Sequence, residues 1–343
     1  MGCSEYLLQI EPHHRSIRVS AQRPVLDGVL DAGLNLPHSC KSGHCGSCRA
    51  RLLCGRIEYP HGPPLGLSAA EAAAGLILLC QARAQTDLSV EARLIADVAD
   101  VSIKTLPCRI EQLALLAPDV LQVFLRLPVV EPLHFQPGQY LDVLLQGGRR
   151  RSFSIASPPH DSERLELHVR RVEGGGFTQG LFAEQRAGAL LRIEGPLGQF
   201  VYRPGTRPLL MVAGGTGFAP LKAILRHILE RGIEREIHLY WGARQSCDVY
   251  EEQCVLEWVR RFPQLRFTVV LSATQQVHAA HHRSGWVHEL VLAQHKDLAP
   301  FDIYAAGPPA LIEAIRASFP LRGASEAHLH FDSFDYAPDT RPT

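Results

Sequence analysis

The run HSCKSGHCGSC sets Cys40, Cys45 and Cys48 in the order C-x4-C-x2-C, and Cys80 follows in LILLCQA after a gap of 31 residues. Three cysteines this close commit the chain around them to one tight loop, and a fourth from afar must be brought in by the fold. The spacing is that of a [2Fe-2S] site, where two sulfide-bridged irons need four thiolates. Gly43, Gly46 and Ser47 are small enough to let backbone N–H groups point at sulfur, which stabilises the extra charge of a reduced cluster. A structural zinc ion usually recruits two close pairs of ligands; His38 and His44 keep zinc as the alternative. The chain has nine cysteines, an odd number, and a disulfide framework does not explain the clustered four. Cys3, Cys54, Cys108, Cys247 and Cys254 are scattered, and are expected to act as small apolar side chains in a reduced compartment, Cys54 in the core.

At 343 residues the chain exceeds what one core comfortably holds, so two or three domains are expected. Lys plus Arg and Asp plus Glu both number 35, which removes the electrostatic motive for binding nucleic acid or an anionic membrane. No apolar run resembles a signal peptide or reaches the roughly 20 residues of a membrane helix, which points to a cytoplasmic protein.

The sequence changes character near residues 100 and 206, and contains no internal repeat. Residues 1–97 combine short alternating runs (YLLQI, SIRVS, RARLL, LSVEA) with the helical stretch VLDGVLDAGL. Residues 104–205 are mostly strand-like, from CRIEQLALL to LLRIE, and are separated by turn signals at the spacing of an antiparallel barrel. Residues 206–343 alternate strand and helix. There LLMVA is followed by Leu221, Ile224, Leu225, Ile228 and Leu229 at helical spacing, with Gly232 closing the helix. IHLYWGA, FTVVLSA and FDIYAAG supply further apolar strands, predicting a doubly wound parallel sheet.

Several local patterns resemble known binding motifs. The segment around the cysteines is similar to the β-grasp ferredoxin module that opens many bacterial oxygenase reductases. Arg151, Ser152, Phe153 and Ser154 in RRRSFSIAS resemble the R-x-[YF]-[ST] flavin motif of the ferredoxin-NADP reductase superfamily. The resemblance implies that Arg151 holds the flavin diphosphate, Phe153 lies on the ring system, and Ser154 bonds the flavin N5. On composition alone three adjacent arginines read as a solvated turn; the order of the surrounding motifs overturns that reading. Gly175, Gly176 and Thr178 in GGGFTQGLF resemble the second flavin motif, a glycine turn leading into a helix that meets the pyrophosphate; His168 and Arg170 lie on the strand before it. FAD is expected over FMN.

The loop GGTGFAP follows an apolar strand and opens a helix, so Gly214, Gly215, Thr216 and Gly217 are candidates for the nicotinamide dinucleotide's phosphates. Gly307 and Pro308 stand where the family often has C-G-P-P; here Ala306 replaces the Cys, so no thiol assists. Arg244 could meet a 2′-phosphate, but Asp248 and Glu251 would repel one, which favours NADH over NADPH. Phe334, with Phe331, resembles the family's terminal aromatic, which covers the flavin; a core phenylalanine is the other reading.

The whole chain thus resembles multidomain α+β and α/β reductases: a β-grasp ferredoxin domain, an antiparallel flavin-binding β-barrel and a doubly wound nicotinamide-binding sheet. In such families, among them the CDP-6-deoxy-3,4-glucoseen reductases and the oxygenase reductase components, NAD(P)H electrons pass through FAD and [2Fe-2S] to an acceptor protein. The resemblance therefore implies a dehydratase or an oxygenase component as partner. A redox-sensing module that uses the same cofactors without turnover is the reading from another class.

Overall fold

The computed structural model describes residues 4–34, 36–38, 41, 43, 46–92, 103–161, 164–172, 176–184, 187–273 and 279–334. The chain divides into two compact units, Met1–Asp100 and Val101–Thr343.

In the first unit the chain runs β1 (Glu5–Glu11), β2 (Arg15–Ser20), α1 (Val25–Asp31), β3 (Arg49–Cys54), β4 (Ile57–Glu58), α2 (Ala69–Ala73), β5 (Leu76–Leu78), β6 (Arg83–Ala84) and β7 (Leu88–Glu91). Five strands form one sheet in the order β2-β1-β7-β3-β5, with β1 and β7 parallel and the other pairs antiparallel. Leu8 and Ile10 of β1 and Val90 of β7 face α1, where Val25, Leu26 and Val29 are also buried. This alternation is what the short runs of the sequence require of strands wet on one side. The Ser68 hydroxyl accepts from Glu71 N–H and the Ser68 N–H donates back to the Glu71 carboxylate, a capping box that fixes where this five-residue helix begins.

The second unit continues with β8 (Lys104–Ala117), β9 (Val120–Arg126), β10 (Tyr140–Leu144), β11 (Arg150–Ser154), β12 (Arg164–Arg170), α3 (Gly176–Glu184) and β13 (Leu190–Leu197). These strands pair antiparallel in the order β11-β10-β13-β8-β9-β12. A bridge between Ile155 and Leu167 joins the two edges, so the sheet closes into a barrel. Leu165, Leu167 and Val169 point into its core, which leaves Glu166, His168 and Arg170 on the outer face of β12.

Next come β14 (Leu209–Gly214), α4 (Phe218–Glu230), β15 (Ile237–Ala243), α5 (Glu252–Arg261), β16 (Leu265–Leu271), β17 (His282–Ser284), α6 (Val287–Gln294), β18 (Asp302–Gly307), α7 (Pro309–Ser318) and β19 (Leu329–Ser333). The sheet is parallel throughout, in the order β17-β16-β15-β14-β18-β19. Alternate residues enter separate cores. Leu209, Met211, Leu239, Trp241 and Val269 pack with α4 and α5; Leu210, Val212, Tyr240, Val270 and Ile303 pack with α6 and α7. Both faces are covered, which is why these strands read as unbroken apolar runs. Strand order reverses between β14 and β18, and in such sheets the crevice at the carboxyl ends beside that reversal is where ligands bind. Among the described residues, no helix is long and apolar enough to cross a membrane.

Two expectations about isolated cysteines are corrected. Cys54 and Cys247 are exposed, not core. A register shift in the β3–β7 pairing between Leu52 and Cys54 interrupts the alternation that would have turned Cys54 inward. Cys108 does behave as a buried apolar group, and burial pushes its thiol up to about 12.

Candidate functional site

In the first unit the register Arg49 opposite Leu78 sets Cys48 across from Leu79, whose N–H donates to the Cys48 carbonyl at 3.1 Å. The two cysteines, with 31 residues between them in sequence, thereby lie on adjoining segments, and both are buried. The N-terminus of α1 is tied to the Cys80 segment by Val25 N–H to Ala82 O and Leu26 N–H to Leu79 O. Gln81 donates to the Lys41 carbonyl at 2.8 Å, which anchors the cysteine loop from the other side. Gly43 has φ +83°, and a Cβ there would come 2.8 Å from Gln81 Cγ and 2.9 Å from Pro64 Cβ, so the loop's tight path needs glycine twice over. His38 is buried with its Nδ1 donating to the Leu36 carbonyl, and burial lowers its pKa to about 4. Cys40, Cys45 and His44 lie outside the described residues. Two buried thiols on adjoining segments, beside a loop pinned by glycine, suit a [2Fe-2S] cluster.

In the second unit the three arginines separate by partner. Arg149 donates to the Gln146 carbonyl in an exposed turn, and Arg150, exposed at the start of β11, is ion-paired to Glu194, with Asp142 at 3.6 Å. Arg151 is half-buried and lies beside Phe153 on the face of β11 shared with Val143 and Leu141. The Phe153 ring meets that of Phe177 on α3 at 6.0 Å, so the two flavin-like motifs adjoin in space. Gly176 opens α3 and is exposed, while the buried Thr178 hydroxyl accepts from Val172 N–H. Gly175 lies outside the described residues.

Ser154, on the opposite face, donates to Asp332 Oδ2 at 3.2 Å across to the parallel sheet. Two residues on, Phe334 is half-buried and its N–H donates to the Gly307 carbonyl at 2.8 Å; Phe331 packs on the core of the α6/α7 layer. The end of β19 thus reaches both the flavin-like motif and the loop after β18. Asp332 carried no signal in sequence, since a lone acid in HFDSFD has no spacing to mark it.

The glycine loop sits at the strand-order reversal, as expected for a nucleotide site, but several of its glycines are needed for contact with the neighbouring loop. A Cβ on Gly217 would lie 1.9 Å from the Ala306 carbonyl oxygen, and one on Gly307, at φ +151°, would lie 2.9 Å from Gly214 Cα. The same would hold for Gly214 against Pro308 Cδ at 2.8 Å. Gly215 has φ +53°, and its carbonyl accepts from Trp241 Nε1. Thr216 follows in the turn before α4. Arg170 spans the two halves: its Nη1 is 2.7 Å from where a Gly215 Cβ would stand, and its Nε is 3.2 Å from Asp119. A glycine loop at the N-terminus of a 13-residue helix suits a pyrophosphate.

His168 is enclosed by its neighbours. Its side chain has no exposed surface, one ring nitrogen is 3.1 Å from Glu166 Oε1 and the other 3.0 Å from the Tyr250 hydroxyl. With both ring nitrogens engaged, its side chain ties the barrel to the nucleotide sheet. It belongs to a buried cluster that sequence reasoning missed: Lys222 Nζ on α4 donates to Glu166 Oε1 at 2.8 Å and to Glu251 Oε1 at 2.6 Å, and Gln122 also donates to Glu166. Burial alone would raise the Glu166 carboxyl, but the His168 hydrogen bond and the Lys222 charge hold it well below the ordinary range. Burial opposes charge on Lys222, and the two carboxylates more than offset it. Glu251 is corrected, because it turns inward to Lys222 and does not face a nucleotide. Arg244 is engaged by Asp248, whose two oxygens lie 3.1 and 3.4 Å from its guanidinium. A lysine among the apolar residues of α4 and a glutamate within LELHV were the available signals.

Residues 8–85 match the 2Fe-2S iron-sulfur cluster binding domain, 107–202 the oxidoreductase FAD-binding domain and 211–317 the oxidoreductase NAD-binding domain. The chain is 34% identical over 310 residues to a CDP-6-deoxy-L-threo-D-glycero-4-hexulose-3-dehydrase reductase of Yersinia pestis, covering 90% of this chain and 92% of that protein. It is 34% identical over 315 residues to a terephthalate 1,2-dioxygenase reductase component of a Comamonas species, covering 92% and 93%. Among solved structures, an Amycolatopsis cytochrome P450 reductase matches with a TM-score of 0.77 at 33% identity, covering 96% of this chain and 98% of that one. These matches settle the zinc alternative in favour of [2Fe-2S] and fix FAD and a nicotinamide nucleotide as the other cofactors. The chain belongs to the ferredoxin-NADP reductase superfamily, in the branch of NAD(P)H-dependent oxidoreductases that carry FAD and an N-terminal [2Fe-2S] ferredoxin domain.

Proposed function

We propose that this reductase serves a dehydratase of deoxysugar formation, drawing on NADH in the cytoplasm, and that the residues above divide the work as follows. When bound, FAD takes the hydride of NAD(P)H as an electron pair and releases electrons singly to the [2Fe-2S] cluster for delivery to a partner protein. Cys40, Cys45, Cys48 and Cys80 hold the irons, Arg151 the flavin diphosphate, and Phe153 the face of the ring system. Gly176 and Thr178 would shape the second flavin turn with Gly175, while Arg170, beside Gly215 and Asp119, would serve where the flavin and nucleotide halves meet. Ser154, oriented by Asp332, would offer its hydroxyl to the hydride-accepting atom of the flavin, and Phe334 would cover the ring system where nicotinamide must enter. Gly214, Gly215, Thr216 and Gly217 receive the nucleotide pyrophosphate, with Gly307 and Pro308 closing the crevice. Ala306 supplies no thiol, so positioning alone serves hydride transfer. The proposed domains are 1–97, 104–205 and 206–343.

The observation that carries the assignment is convergence: β11, the glycine loop, the loop after β18 and the end of β19 meet through Ser154–Asp332, Gly217–Ala306 and Phe334–Gly307. NADH is favoured because Asp248 already neutralises Arg244, which a 2′-phosphate would need. The dehydratase is favoured by the Yersinia relative. The second reading, an oxygenase component as acceptor, rests on the Comamonas relative.

The test separates the two cofactor stages. Cys48→Ser should abolish cytochrome c reduction and leave NADH oxidation by a free dye, which draws directly on reduced flavin, near the wild-type rate. Full cytochrome c reduction by a variant that has lost its iron would refute the exit through the cluster. Absence of NADH-dependent turnover in the wild type would leave the redox-sensing module. Adding purified dehydratase or oxygenase components in place of cytochrome c decides between the two acceptors.

A further inference from the structure

Away from the electron path, Glu252 at the start of α5 faces the head of β17. One of its oxygens, Oε1, lies 2.6 Å from His281 Nε2 and 2.6 Å from His282 Nε2, and the three ligating atoms all fall within 4.8 Å of one another. The imidazoles are held from behind. His281 stacks on Phe267 with centroids 5.7 Å apart, its carbonyl accepts from Val269 N–H, and His282 N–H donates to Ala279 O. The His281 and Glu252 side chains keep 23% and 20% of their surface, enough for an ion to reach them, while His282 is buried.

We propose that Glu252, His281 and His282 form a binding site for a zinc-class divalent cation, separate from the [2Fe-2S] cysteines. Two imidazole nitrogens and one carboxylate oxygen converging on a point are the donor set of a three-ligand zinc site with a fourth position open to water. Around zinc at about 2.0–2.1 Å, tetrahedral ligand atoms stand about 3.3 Å apart, so each nitrogen needs to withdraw from the carboxylate by less than about 1 Å. A neutral imidazole presents its Nε2 lone pair by moving its proton to Nδ1, so binding needs no ionisation of the rings. With both rings neutral, the donor set carries one negative charge against the ion's two positive ones. Imidazole donors select zinc, nickel or copper over magnesium and calcium, which want oxygen. The ion would cross-link α5 to β17, an edge strand paired to β16 through only Val269–His282, Val270–Arg283 and Leu271–Ser284.

The experiment uses the holoprotein, with flavin and cluster confirmed by absorbance, and titrates zinc chloride by calorimetry after passage over a chelating resin. Because the thiols of Cys54 and Cys247 are exposed and take zinc themselves, it is run in a Cys54→Ser, Cys247→Ser background. One zinc per chain should bind, accompanied by a rise in melting temperature. Glu252→Ala and His282→Ala should each weaken binding at least about 100-fold, since losing even an outer-shell partner costs roughly 10–100-fold. Both variants should keep NADH-to-dye activity, which shows that they are folded. No zinc uptake in this background, or uptake that both variants retain unchanged, overturns the proposal and leaves the trio as a hydrogen-bonded staple.

Discussion

Replacing Lys222 by methionine keeps the length of the side chain and removes the one ammonium placed between Glu166 and Glu251. At an effective dielectric of about 20, unit charges 2.6–2.8 Å apart attract by about 6 kcal/mol each, before the cost of burying them is counted. Methionine forfeits both attractions and also avoids the desolvation of an ammonium, so the net loss is smaller. Breaking a buried pair by removing one partner costs about 3–5 kcal/mol, because the remaining charge is stranded. Here two carboxylates are stranded, and Glu251 Oε2 is already buried without a hydrogen-bond donor among the described residues. We therefore expect Lys222→Met to lower the stability of the second unit by about 3–5 kcal/mol, a large share of a typical total of about 5–15 kcal/mol. Guanidinium unfolding monitored by tryptophan fluorescence reads it, since Trp241 is fully buried and stacks on Phe218 of α4 at 4.0 Å. The loss should depend on pH. In the wild type Glu166 stays ionised far into acid, its folded pKa lying below the unfolded value, so its contribution is present above about pH 4.3. Without Lys222, burial raises the Glu166 carboxyl, and the variant takes up a proton as pH falls. The gap to wild type should be widest at neutral pH and narrow toward pH 4. Adding Glu166→Gln and Glu251→Gln to Lys222→Met should recover much of the loss. A single-variant cost below about 1 kcal/mol, or no narrowing in acid, would refute the view that the ammonium neutralises this cluster.

Two further outcomes test the site itself. Arg151→Ala should release flavin on desalting and Arg151→Lys should retain part of it, because an ammonium lacks the guanidinium's paired donors; full occupancy in the alanine variant would return the arginine run to a surface turn. Gly217→Ala forces a methyl to within 1.9 Å of the Ala306 carbonyl oxygen, so the loops must separate. We expect a stability loss of about 1–3 kcal/mol and weaker NADH binding with flavin content unchanged, measured by thermal melting and by the dependence of dye reduction on NADH.

Local chemistry made much of this protein legible in its sequence. The cysteine spacing stated a cluster because few arrangements of four thiolates fit a single loop plus one distant residue. Periodicity distinguished the barrel from the nucleotide sheet, since strands wet on one face alternate and strands covered on both do not. The glycine loop was visible because it lies between an apolar strand and a helix. Pairings between distant segments were not visible in this way. Nothing in the sequence near Cys48 says that Leu79 will lie opposite it, and only the β3–β5 register brings Cys80 alongside. The glycines at 214, 217 and 307 suggested room for phosphate, whereas their neighbours show that the two loops must also fit each other. His168 read as a cofactor residue and Glu251 as a nucleotide-facing acid because their motif neighbours are. Tertiary packing turned Glu251, together with Glu166, onto Lys222, since a buried lysine requires carboxylates and the chain had to supply them from two other elements, and it set His168 between Glu166 and Tyr250.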